Sequence, residues 1–218
     1  MTTTTSRRTT HDAPPGGGAT TGRLLTAAAL AGPFFVVSST IQALARDGFD
    51  IRVHPLSQLA TGGPGWIQMV TFVVAGLGGL SLAVGHRRVV TTGAGARVAP
   101  VFLVVFGVAF VVAGLVPMDP QNGLPVGAPE GAVAMSWHSV VHGTAAAVSF
   151  TALAVACVAL VVRAIRARRV WAVLGNGVVA VVLLVPVSAT NASIQVAATG
   201  LVAFTWMTVT ALRLRRPV

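Results

Sequence analysis

Residues 137–169 read WHSVVHGTAAAVSFTALAVACVALVVRAIRARR. From Trp137 to Val162 there is no Asp, Glu, Lys or Arg; Arg163, Arg166, Arg168 and Arg169 then follow in one short block. About 20 apolar residues in a helix cross a hydrocarbon layer of roughly 30 Å. In lipid the backbone must satisfy its hydrogen bonds within the segment, which leaves helix as the conformation for such a run. An apolar helix that stops on a cluster of cations marks the cytoplasmic surface of a membrane.

Working outward, five more runs of this kind appear at Leu24–Leu44, Trp66–Gly85, Val98–Val116, Val170–Ala189 and Ile194–Leu212. The composition agrees with them. Of 218 residues 54% are hydrophobic and 9% charged, against roughly 25% charged in soluble domains. These values exclude an ordinary cytosolic enzyme, a disordered chain and a coiled coil. A single cysteine excludes a disulfide-stapled secreted domain. The predicted fold is all-α: a polytopic six-helix transmembrane bundle over residues 24–212. Residues 1–23, rich in Thr, Gly, Pro and Arg, are expected to form a disordered cytoplasmic tail, and 213–218 a short basic one. The first run is longer than a signal-peptide core of 7–15 residues, so it reads as a retained helix; cleavage after Ala45 would leave five helices.

The net charge is +10, carried by fifteen arginines and no lysine. These cations are dispersed in short clusters between apolar runs, without aromatic partners, which speaks against nucleic acid as a ligand. Arg7, Arg8 and Arg23 precede the first run. Arg87, Arg88 and Arg97 lie between the second and third, the Arg163–Arg169 block between the fourth and fifth, and Arg213, Arg215 and Arg216 at the end. Thirteen of fifteen therefore fall on one side, and the positive-inside rule puts both termini in the cytoplasm of a multi-pass cell-membrane protein. Trp66 and Trp137 are predicted at the outer interface and Trp171 at the inner one. Ala75 with Gly79, and Ala109 with Ala113, form small-xxx-small pairs for close helix packing. Pro33 and Pro186 are expected to kink the first and fifth helices. The kinks do not recur at matching positions in the two halves, which weakens a transporter reading.

The outer loops carry the chemistry. The first reads GFDIRVHPLSQLATGGPGWIQ from Gly48; here Pro55 should open a short interfacial helix that Gly62-Gly63 ends. The third reads MDPQNGLPVGAP from Met118, a Pro/Gly-rich lid, and the fourth helix starts SWHSVVHG at Ser136. With these three stretches the chain resembles the bacterial membrane family catalogued as domain-of-unknown-function 998, over about residues 24–212. The resemblance implies a polytopic bacterial membrane protein and supplies no activity, substrate or catalytic residue.

His138 and His142 lie four apart, on one helix face. Such a pair is half of a zinc site, and the topology puts Asp119 and His54 on the same side, so His54, Asp119, His138 and His142 form a candidate metal set. The competing reading has these histidines facing headgroups or pairing with carboxylates, since HxxxH without the metalloprotease glutamate is a weak motif. Asp47, Asp50, Arg52 and Ser57 complete a candidate outer pocket. For Arg46, Asp47, Asp50 and Arg52, ion pairs that shape the loop are the plainer explanation. Gln42, Gln68, Asn176, Asn191 and Gln195 are expected to hydrogen-bond between helices, and Cys157 to pack as a small apolar group. The leading functional expectation is an outer pocket that binds a lipid headgroup or small ligand. A zinc-dependent hydrolase of a lipid amide or ester and a small-molecule transporter are the alternatives, and whether the chain is an enzyme stays open.

Overall fold

Hydropathy carries through to the architecture. The computed structural model describes residues 16–188 and 190–215, and they form six α-helices: α1 (Gly16–Ala45), α2 (Gly65–Val89), α3 (Val98–Leu115), α4 (Trp137–Arg166), α5 (Val170–Leu184) and α6 (Ala192–Arg215). Five of them, all but α5, are long and apolar enough to cross a membrane. Leu30, Val37, Ile41 and Leu44 show how such a helix meets lipid: they form an exposed apolar stripe down one side of α1. This is a multi-pass helical membrane bundle.

Three boundaries differ from expectation. The first helix begins at Gly16 rather than Leu24, so residues 16–23 are helical; the rest of the expected tail, with Arg7 and Arg8, lies outside the described residues. The last helix runs on through Arg215, and 216–218 lie outside the described residues. Pro186 stops α5 where a kink was expected. A proline lacks an amide proton and drives the preceding residue out of helical geometry; Val185 is extended, with ψ 125°. At 15 residues α5 spans about 22 Å, short of the roughly 30 Å core.

Each helix packs on its neighbour in sequence, and α6 returns to α1, so the helices form a ring whose sparsest seam is α5 against α6. The core is an aromatic cluster: Phe35 stacks on Phe204 at 4.3 Å, Phe72 on Phe110 at 4.7 Å, and Phe106 joins them. Cys157 is fully buried in the same core, as expected. Both expected small-residue pairs are packed inside, with Ala75 and Ala113 almost without exposure. Gly76 and Gly107, outside those pairs, bring the α2 and α3 backbones together: a Cβ built on either would stand 2.7 Å from the other's carbonyl oxygen. Polar side chains link helices as predicted. Gln42 Nε2 donates to Gln68 Oε1 (2.8 Å), Gln68 Nε2 to Ser39 Oγ (3.0 Å), and Trp206 Nε1 to Asn176 Oδ1 (2.9 Å). Gln195 instead ties the start of α6 to the segment after α5, donating to the Pro186 carbonyl at 2.9 Å.

The bundle has two chemically distinct ends. Leu25 of α1 lies against Gly85 of α2, and Arg163 of α4 donates to the carbonyls of Thr92 and Ala94 at 2.7 and 3.2 Å. These contacts gather the arginine clusters at one end. The two long loops meet at the other.

Candidate functional site

At the loop end, sequence chemistry becomes an interlocked cap. Pro55 precedes a 3₁₀ helix over Leu56–Ala60, close to the interfacial helix expected there. This turn presents Gln58, fully buried, to the third loop, where its Nε2 donates to the carbonyls of Gln121 and Leu124. His54, also buried, accepts from the Asp50 amide at Nδ1 (2.9 Å), which places its proton on Nε2 for donation to the Asn122 carbonyl (2.9 Å). That carbonyl is turned inward by a left-handed pair, Asn122 at φ 54° and Gly123 at φ 72°, the two residue types that tolerate such backbone best. Ser57 Oγ contacts Met118 Sδ at 3.3 Å, and Ser193 of α6 donates to the Val53 carbonyl at 2.9 Å. The first outer loop is thus fastened to the third loop and to α6.

Asp119 braces the start of α4. Its carboxylate accepts from Ser136 Oγ (2.6 Å), the Ser136 amide (2.7 Å) and Ser139 Oγ (2.7 Å), while Ser136 Oγ caps the helix by accepting from the His138 amide. The hydrogen bonds from Ser136, with that from Ser139, hold the Asp119 carboxyl below the ordinary aspartate value of 3.8. A carboxyl lowered by folding stabilises the fold fully above pH 3.8 and less as the pH falls towards its folded value. Thermal unfolding of the parent and of Asp119→Asn should therefore differ most above pH 3.8, and the gap should close on acidification. Asp50 is lowered further, to about 2, by its hydrogen bonds to Arg52. Their ion pair at 2.6 Å is local to the loop, while Arg46, expected in such a pair, donates to the Thr61 carbonyl.

The candidate metal set does not come together. Among the described residues no group of three or more His, Cys, Asp or Glu side chains is placed to hold an ion. The physical reason is that its members are committed elsewhere. Both nitrogens of His54 are bonded, the Asp119 oxygens are taken by serines, and His142 Nδ1 donates to the Ala113 and Val116 carbonyls at the end of α3 (2.8 and 3.0 Å). His138 stands exposed, stacked on Trp137 at 3.7 Å, four residues from His142 in sequence but in a different environment. Of the expected outer pocket, Asp47 and Arg52 are exposed, whereas His54 and His142 are buried as struts.

The arginine-rich end holds what sequence reasoning missed: a cavity of about 930 Å³ at the α5–α6 seam. Its walls come from one face of α5, including Gly175, Asn176 and Val179, and one face of α6, from Leu201 to Arg213. Along α6 that is about 18 Å of helix. Arg163, Arg166, Arg169 and Arg213 line its mouth, and buried His86 lines it from α2. No carboxylate lines it.

The family described as Protein of unknown function (DUF998) matches residues 29–214. The chain belongs to this family. The match covers all six helices except the first turns of α1 and the last residue of α6, so both the cap and the seam cavity of this DUF998 chain lie inside the family domain. No curated protein and no solved structure matches the chain.

Proposed function

We propose that this protein is a non-catalytic membrane protein that holds an amphiphilic molecule in the α5–α6 cavity. The observation that carries this reading is the cavity itself: about 930 Å³, within the range of small-molecule sites, apolar along the helices and cationic at its mouth. The interlocked loops at the far end support holding rather than passage, because they tie the first and third outer loops to each other and to α6. The hydrolase alternative has lost its support, since its four metal ligands do not gather.

The test is a plug. A Cβ on Gly175 would meet no heavy atom within 4 Å, so a larger side chain there enters the cavity instead of the packing. Gly175→Phe should keep the unfolding temperature of the parent and lose most of the lipid or other amphiphile that co-purifies, read by native mass spectrometry. Equal retention by the two proteins would remove the proposal.

A second reading keeps the ligand at the cap, where the outer pocket was expected. Two observations favour it: exposed Arg52, paired with half-buried Asp50, and the exposed Trp137–His138 stack stand at one end and suit headgroup contact.

A further inference from the structure

We infer that the occupant of the α5–α6 cavity is an anionic phospholipid, drawn from the leaflet at the arginine-rich end and gripped through its phosphate. This inference rests on the reading of the cavity as a binding site and adds the chemistry of the occupant.

Charge is the first argument. Arg163, Arg166, Arg169 and Arg213 share one cavity wall, and no Asp or Glu stands among its lining residues. Among the described residues the ion pair is Arg52–Asp50, at the opposite end of the bundle. Arg163 is engaged with the carbonyls of the α2–α3 loop, which fixes it in place and leaves Arg166, Arg169 and Arg213 to face a ligand. A guanidinium is a planar fork of donors that matches phosphate oxygens two at a time. Cations that no protein carboxylate balances, at the level where lipid headgroups lie, are best balanced by a phosphate from outside.

The second argument is independent of surface charge. His86 is 1% exposed and lines the cavity, yet its Nδ1 has no hydrogen-bond partner. Buried polar atoms are almost always bonded, so this ring carries an unmade hydrogen bond in the cavity wall, one that a turn of the ring would offer to a ligand.

Shape gives the third. From Arg213 the wall descends α6 through Val209 and Trp206 to Leu201, turning from cationic to apolar along about 18 Å. Val179 and Leu160 continue the apolar surface on α5 and α4. A headgroup at the mouth and an acyl chain along the seam fit this gradient, whereas a free phosphate would leave the apolar length unused.

The experiment uses the full chain in detergent, titrated with phosphatidylglycerol, phosphatidylcholine or diacylglycerol and read by native mass spectrometry. Inorganic phosphate alone is tested by thermal shift. The parent should bind phosphatidylglycerol roughly tenfold or more tightly than phosphatidylcholine, the scale set by a few cations meeting one anionic headgroup. The triple variant Arg166→Gln, Arg169→Gln, Arg213→Gln should lose that preference and still fold, because all three side chains are exposed. Arg87→Gln with Arg88→Gln, which removes two cations at the same end but outside the cavity lining, should keep it. Equal binding of all three lipids that Gly175→Phe abolishes would overturn the phosphate inference and leave the cavity reading standing. A phosphatidylglycerol preference that survives Gly175→Phe, or that falls equally in the Arg87/Arg88 variant, would show general surface attraction and overturn the inference. Stabilisation by inorganic phosphate alone, without lipid preference, would overturn the lipid as source. No lipid held by the parent at all would remove the cavity reading itself.

Discussion

Gly76→Val is expected to lower the unfolding temperature of the detergent-solubilised protein by roughly 10 °C, about 3 kcal/mol for a chain of this size. A Cβ at Gly76 would stand 2.7 Å from the Gly107 carbonyl oxygen, 2.7 Å from Val111 Cγ2 and 2.9 Å from the Val111 amide nitrogen. Two of these three atoms are backbone, so no rotamer change relieves the clash; α2 and α3 must separate. In lipid there is no hydrophobic drive to compensate, because the helices associate through dispersion and polar contacts alone. The α2–α3 interface also seats Phe72 and Phe106 in the aromatic cluster, and a shift there disturbs stacking across to Phe204. Gly177→Ala is the control. Its added Cβ meets nothing within 4 Å, so the gain in helix propensity should leave stability equal or slightly raised. Circular-dichroism melts of the three proteins decide the matter, and a Gly76→Val protein as stable as the parent would refute the close-packed interface.

That pair of glycines shows where sequence reading reaches and where it stops. Five spans, the separation of the arginine clusters from the long loops and the cap's 3₁₀ turn were visible because each follows from local facts: run length, arginine position, a proline followed by paired glycines. The small-residue pairs at Ala75 and Ala109 were visible by spacing too, but spacing does not say which small residue meets the partner backbone, and Gly76 and Gly107 do. The fifth helix was drawn to Ala189 since apolar residues continue past Pro186; hydropathy outvoted the proline, although the missing amide proton decides the helix end. Residue types in the cap were legible, their partners were not. His54 bonds to Asn122 and Gln58 to Leu124 across more than sixty positions, and a histidine that braces a loop looks in sequence like one that binds zinc. Gln58 and Asn122 themselves drew no attention, having no motif around them. The arginines of the α4–α5 turn were read as a topology signal alone, because their convergence with Arg213 and His86 depends on a seam between helices that no sequence period encodes.

Gln58→Leu should loosen the clasp between the two outer loops. The side chain is fully buried, and its one amide nitrogen serves two carbonyls, Gln121 and Leu124, in a loop with little regular structure of its own. Leucine fills much the same volume, so the loss isolates the hydrogen bonds from the packing. Each carbonyl keeps the bond it accepts from the other residue's amide, so what is lost is two net hydrogen bonds, and about 2 kcal/mol is expected in all. The loss should also be regional. Residues 117–136 are held by Gln58, by His54 through Asn122, by Ser57 at Met118 and by the serines around Asp119, and all but the last cross to the other loop. With Gln58 gone the segment should be cut by protease several-fold faster, while the helices keep their melting behaviour in the core, since local opening of a loop does not require opening the bundle. His54→Ala should act in the same direction at least as strongly, because it takes the partner from both the Asn122 carbonyl and the Asp50 amide. Because the two side chains fasten the same loop, the double variant should cost less than the sum of the singles, a coupling that a double-mutant cycle measures directly. Strict additivity would mean that the two bonds hold separate parts of the cap, and the picture of a single clasp would have to be given up.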